Sequence, residues 1–264
     1  MHLKEIWIYP VKGMQGIKVA SAQLTPLGLQ YDRRYMLVDA NGKFISQRTH
    51  PQLATLSTSL QGDVVTLSDG REQVELSPAI VTTTQVASSM WEHKFTVHLL
   101  PGTTSAKVSA MIGDTVRVAY LTDEDIRIKH YIGDGDSTRL SLADGYPYLL
   151  AGTSSLDKLN SKLTSPVPMD RFRANLIIET TEPHIEDKLG HFTVGGQSMY
   201  VVKPCARCQV ITIDQRTGQK GKEPTATLAK YRKEGNRINF GANAVANSDG
   251  VVRVGDEVTA DVGG

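Results

Sequence analysis

Two thiols three residues apart, in Pro204-Cys205-Ala206-Arg207-Cys208, are the residues of this chain whose type and spacing most directly suggest chemistry. Such a pair can chelate a transition metal or cycle between dithiol and disulfide. A structural zinc site needs four ligands, yet the sequence holds no second Cys pair, and its seven histidines include no two at close ligand spacing. A thioredoxin-like motif sits where a strand gives way to a helix, whereas a strand is expected before this pair and another over 209–214 after it. Two buried structural cysteines are the remaining alternative, and the pair alone leaves that reading open. Arg207 shifts the balance, because a guanidinium between the thiols cannot be buried without an anionic partner.

Further cations occupy otherwise apolar stretches. Lys12 follows Ile6-Trp7-Ile8-Tyr9-Pro10-Val11, Arg33 precedes Tyr35-Met36-Leu37-Val38, Arg173 precedes Ala174-Asn175-Leu176-Ile177-Ile178, and Lys203 adjoins the Cys pair. Each alone reads as a snorkelling or surface residue. Together with the thiols they could form a pocket for phosphate and metal, since Arg offers paired donors to phosphate and Lys a point charge.

The elements that must position these residues are mostly strands. Short runs of Val, Ile, Thr and Tyr at 3–9, 17–24, 35–39, 64–67 and 95–99, punctuated by Gly, Asp and Asn, predict a β-rich fold, with Asn41-Gly42 as a hairpin turn. Helices are expected over 103–113, 154–163 and 225–233. Strands follow at 115–121, 174–179, 191–194, 198–202 and 210–214, with a strand pair in 251–260. The stretch 122–139, rich in Asp, Gly, Lys and Arg without steady period, predicts a mobile loop or lid.

With 264 residues, two modest domains are the natural expectation, divided here as 1–119 and 120–264. Lys and Arg number 29 against 28 Asp and Glu, so the net charge of +1 supplies no global field for nucleic acid or an anionic membrane, and any anion site must be local. Aromatic residues at 6% argue against base-stacking platforms. No basic start with an apolar run and no apolar stretch near 20 residues is present, so neither a signal peptide nor a membrane helix is expected. Two cysteines provide no disulfide framework, and a reducing, cytoplasmic location fits best.

Seven motifs occur in order: Tyr9-Pro-Val-Lys-Gly13, Gly28-Leu-Gln-Tyr-Asp-Arg33, Asp144-Gly-Tyr-Pro-Tyr148, Arg171-Phe-Arg-Ala-Asn175, Lys203-Pro-Cys-Ala-Arg-Cys208, Phe240-Gly-Ala-Asn243 and Val254-Gly-Asp256. Over nearly the whole chain this resembles the MOSC family, in the branch of the mitochondrial amidoxime-reducing component and its bacterial relatives. The resemblance implies a β-rich α+β protein, a MOSC β-barrel domain packed with an amino-terminal β-rich MOSC-N domain, holding a molybdenum cofactor of the molybdopterin type. Pyridoxal phosphate is not an expected cofactor. Cys208 matches the family's metal ligand, and cofactor contacts map onto Lys12, Gly13, Arg33, Gly145, Tyr146, Arg173, Asn175, Ala206, Arg207 and Asn243. Asp144 maps to a proton donor near the metal. Turn geometry at Gly13, a cap at Asp144 and backbone satisfaction at Asn243 are competing readings for those three.

The sequence departs from its relatives at Gly13, where many carry serine, and at Asn243, where mitochondrial members carry tyrosine. The ferredoxin-like domain that some bacterial relatives append is not expected here. The resemblance therefore implies reduction of a small N-hydroxylated substrate with electrons from a separate ferredoxin- or flavoprotein-type donor. A carrier of the cofactor or of a Cys208 persulfide is the rival reading.

Overall fold

A computed structural model describes residues 1–91, 93–125, 127–130 and 137–260. Its largest sheet runs Ile17–Val19, His2–Ile8, Leu176–Glu179, Tyr148–Gly152, Arg237–Ala246, Gln197–Ala206, His191–Val194, Val258–Ala260. One neighbouring pair, Tyr148–Gly152 with Leu176–Glu179, is parallel, and the Thr153–Asn160 helix lies in the connection between them. At the far side His2 bridges Glu257, and Leu3 N donates to Asp256 O, so the sheet curls back on its own first strand in the manner of a barrel. Its interior is filled by Leu3, Ile6, Leu150, Leu176, Met199 and Ala244, alternate residues of strands whose other faces differ in exposure.

A second core gathers Val11, Met14, Tyr35, Leu37, Leu53, Leu67, Leu76, Val108 and Val118. It is enclosed by a four-stranded sheet ordered Tyr35–Val38, Arg117–Tyr120, His93–Leu99, Gln85–Met90, by the Ser57–Gln61, Val64–Ser68, Gln73–Leu76 meander, and by the Gly102–Ile112 helix. Gly113 ends that helix in the left-handed conformation at φ 72°, returning its N–H to Ser109 O. The expected turn forms too: the Asp39 side chain accepts from Asn41 N and Lys43 N, with Gly42 at φ 81°. No helix among the described residues is long and apolar enough to cross a membrane.

Four expectations need correction. The 17–24 strand is two, Ile17–Val19 and Ser21–Thr25, because after Ala20 the chain leaves the barrel sheet to pair with Val251–Arg253. Gln209–Thr212 is a 3-10 turn rather than a strand; it buries Ile211, whose carbonyl accepts from Arg171 Nη1. The 225–233 helix is a single turn, Thr225–Leu228, after which Arg232 is drawn into an ion pair with Asp187. Within 122–139, Ile128–His130 pairs with Ser137–Arg139, and buried Arg127 anchors the ribbon on the Ser141 and Ala143 carbonyls; residues 126 and 131–136 of that stretch lie outside the described residues.

Candidate functional site

All twelve residues expected at the site line one cavity of about 570 Å³. The first turn after the His2–Ile8 strand delivers Lys12 and Gly13. Val11 bridges Tyr35 and Lys12 N donates to Tyr35 O, which points the lysine inward. Gly13 stands at φ 88° with its carbonyl taking a hydrogen bond from Gln47 Nε2 at 2.7 Å, so glycine serves a left-handed turn here that serine would occupy with strain.

Arg33 and Arg173 form the floor. Both sit in left-handed conformation, φ 51° and 54°, uncommon for residues with a side chain and a frequent mark of sites where geometry is imposed. They flank the ring of Tyr9, each guanidinium carbon within 4.6 Å of its centroid. Arg33 is fixed by the Asp32 carboxylate and by Asn175 Oδ1 at 3.3 Å, and burial is outweighed by that carboxylate, so its pKa is raised. Arg173 has no such partner: Nη1 donates to Met14 O at 2.7 Å, Nη2 is buried with nothing to bond, and burial pulls the group down to about 10. It remains charged at neutral pH, a buried cation without an anion.

Asn175 is fully engaged with the fold, its Nδ2 donating to Trp7 O at 3.1 Å and its Oδ1 accepting from Leu149 N and Arg33 Nη1. It positions Arg33 more than it offers atoms to a ligand. Asn243 is half-buried opposite Leu149 and Lys203 in the sheet.

The Cys pair ends the long Gln197–Ala206 strand. Two register shifts against Arg237–Ala246, one between Val201 and Lys203 and one between Pro204 and Ala206, turn that end toward the cavity, as bulges commonly do beside sites. Gly241 makes the close approach possible: at φ 71°, a Cβ there would stand 2.4 Å from Leu150 O. Arg207 N donates to Ile238 O, its Nη2 to Phe172 O at 2.6 Å and its Nη1 to Cys205 Sγ at 3.1 Å, while buried Nε has no partner. Cys208 is exposed and heads the Gln209–Thr212 turn.

Lys12 Nζ donates to Leu142 O at 2.9 Å and to Asp144 Oδ1 at 2.7 Å. Burial pulls the lysine down and the Asp144 carboxylate only partly restores it. For Asp144, burial favours the neutral acid, but Lys12, with Arg48 and Arg33 behind it, outweighs this and holds the carboxyl at about 2. Asp144 is therefore ionised in this arrangement. In this arrangement Asp144 is the charge partner of Lys12. Gly145 and Tyr146 continue the same turn along the wall.

Sequence reasoning passed over other lining residues. Trp91, at the tip between Gln85–Met90 and His93–Leu99, donates from Nε1 to Asp144 Oδ1 at 3.3 Å and carries Arg48 over its ring at 4.3 Å. A lone Trp in a polar hairpin carries no spacing signal. The lining holds eight Lys and Arg against one acid, Asp144, in a chain of net charge +1, so the positive charge is local. Two buried unpartnered guanidinium nitrogens, several cations and one exposed thiol fit an anionic group that carries a thiophilic metal.

Fold and cavity together define a strand-rich protein with a cationic cleft that has a thiol in its wall. Residues 137–259 match the MOSC domain and residues 1–113 the MOSC N-terminal beta barrel domain. The chain is 30% identical to human mitochondrial amidoxime-reducing component 1 over 96% of its own length and 81% of that protein's. To the molybdenum cofactor sulfurase of Oryza sativa subsp. japonica it is 31% identical over 91% of its length, spanning about a third, 32%, of the sulfurase. The mouse amidoxime-reducing component 1 is 26% identical, with 96% of this chain and 80% of that one covered. The chain belongs to the MOSC family, with a molybdenum-cofactor-associated function.

Proposed function

We propose that the protein binds a molybdopterin-type molybdenum cofactor in this cleft and reduces small N-hydroxylated compounds with electrons from a separate redox protein. The observation that carries this reading is the convergence of twelve residues from six separate stretches of sequence on one cavity, in which Arg173 and Arg207 keep buried guanidinium nitrogens without a partner. Arg173 and Arg207 would hold the cofactor's phosphate, Lys12 and Arg33 its polar edge, and the Cys208 thiolate the metal. The chemistry such a group supplies is a two-electron couple. The reaction balances as R–NOH plus two electrons and two protons giving R–NH and water. Asp144, ionised beside Lys12, would keep that lysine charged and the turn closed, and solvent at the exposed thiol's side of the cleft would supply the protons.

Likeness to the sulfurases, together with an exposed Cys208, supports a second reading in which the chain carries the cofactor or a persulfide without turnover. One experiment separates them. Protein loaded with cofactor is given benzamidoxime and reduced viologen, or NADPH alone. The reductase reading predicts turnover with viologen and none with NADPH, because the sequence has no Gly-x-Gly-x-x-Gly turn and too few cysteines for a four-Cys cluster. Full loading with no turnover under any reductant would favour the carrier.

A further inference from the structure

Four of the eight cations in the cleft are those assigned to the cofactor, which leaves Arg48, Lys129, Lys203 and Arg237. Lys129, on the Ile128–His130 strand, Lys203 and Arg237 come from three different strands, and no carboxylate among the described residues lies within ion-pair distance of any of them. They are close enough to feel one another: burial, and then the charges of Lys129 and Arg237, push the Lys203 ammonium below the usual lysine range. Lys203 and Arg237 are exposed and Lys129 partly so. Like charges gathered in one cleft without counter-charges destabilise the free protein slightly and favour whatever anion arrives there.

An aromatic surface faces the same cavity. Trp91 is 54% exposed and sits at φ 58°, a strained backbone for a bulky side chain. The Lys203 ammonium stands 5.4 Å from the Tyr146 ring centroid, so a cation and a ring share this wall as well. A flat ligand could stack against Trp91 while its charged end reaches the three cations.

We propose that Lys129, Lys203 and Arg237 form an oxyanion subsite for the substrate, so that the cleft selects N-hydroxylated aromatic compounds bearing a carboxylate or phosphate-like group over neutral ones. This rests on the reductase reading above. The test compares benzamidoxime with its 4-carboxy and 4-phosphono derivatives on cofactor-loaded protein, with reduced viologen as donor so that no protein partner enters. Both anionic compounds should show kcat/KM about tenfold higher than benzamidoxime at low salt, chiefly through KM, shrinking as ionic strength rises. The paired substitution Lys203→Gln with Arg237→Gln should cut that advantage about fivefold, and a Lys107→Gln control on the distant helix should keep it. Calorimetric binding of the same compounds to oxidised, cofactor-loaded protein without reductant gives a readout independent of turnover.

Equal KM for neutral and anionic compounds, or an advantage that survives the double substitution, overturns the subsite while leaving the reductase reading in place. Loss of molybdenum from the double variant also overturns it, because those cations would then belong to the cofactor. Charge-selective binding with no turnover supports the subsite and counts against the reductase reading. Turnover and binding that are both indifferent to charge refute the subsite alone.

Discussion

Cys205 and Cys208 share one turn but not one environment. The sulfur of Cys205 is half-buried against the Arg207 guanidinium, whereas Cys208 is exposed in the wall of the cleft. Cys208→Ser should therefore abolish reductase activity, and Cys205→Ser should retain much of it, since one thiolate suffices as ligand. Equal loss in both variants would point to a disulfide or a shared metal instead. Arg173 makes a different demand. Arg173→Met keeps an unbranched side chain of similar length but removes the guanidinium over Tyr9, a buried charge that has no ion-pair partner among the described residues. Cofactor retention should weaken about ten- to hundred-fold, the worth of roughly 1.5–3 kcal/mol of charge-assisted bonding, while the melting temperature of the cofactor-free protein moves little. Retention equal to wild type, followed by dialysis and pterin fluorescence, would remove Arg173 from the site. At this scale the sequence was most readable where type and spacing coincide, as in the Cys-Ala-Arg-Cys turn. Trp91 and Arg237 reach the cleft only through hairpin and sheet geometry, which no local pattern encodes.

Among elements, the Gln197–Ala206 strand shows what periodicity can and cannot say. Its middle, near 198–202, reads as a strand from alternation, but the two bulges that aim its end at the cleft depend on the partner strand and on Gly241 opposite. The segment at Gln209–Thr212 looks like a strand in sequence because buried Ile211 and Ile213 are two apart, yet a 3-10 turn followed by extended Ile213 places both in the core equally well. His184 offers a test of the packing behind Phe240. It precedes the Ile185–Lys188 turn, its ring lies near Tyr231 and Phe240, and neither ring nitrogen has a partner. Burial, with help from Arg232 and Lys158, holds its pKa down at about 4. Between the unfolded value near 6.5 and about 4 the unfolded chain binds the extra proton, so stability falls as pH falls through that window, by up to about 3 kcal/mol. His184→Asn, which tolerates the φ of 68°, should lose that slope in urea unfolding at pH 7 and pH 4.5. The same pH dependence in variant and wild type would mean another group is responsible.

For the whole molecule, the cleft draws its walls from distant parts of the chain: Lys12, Arg33, Arg48, Trp91 and His93 from the first hundred residues, and Lys129, Asp144, Arg173, Cys208 and Asn243 from the rest. A reciprocal pair of buried amides ties these parts at the floor: Gln47 Nε2 donates to Gln215 Oε1 and Gln215 Nε2 to Gln47 Oε1, at 2.9 and 3.0 Å. Composition gave the near-neutral net charge but not its concentration in one cavity, because that depends on which cations the fold brings together. The central claim is that this cavity holds a molybdenum cofactor through Cys208, and content tests it more directly than rate. Wild-type protein and Cys208→Ser, made in a host that synthesises the cofactor, are purified alike and assayed for molybdenum by mass spectrometry and for pterin by fluorescence after oxidation. Near-stoichiometric molybdenum and pterin in the wild type, with the metal lost from a Cys208→Ser protein that remains folded, is the predicted result. Folded wild-type protein without molybdenum, or a Cys208→Ser variant that keeps the wild-type content, would contradict it.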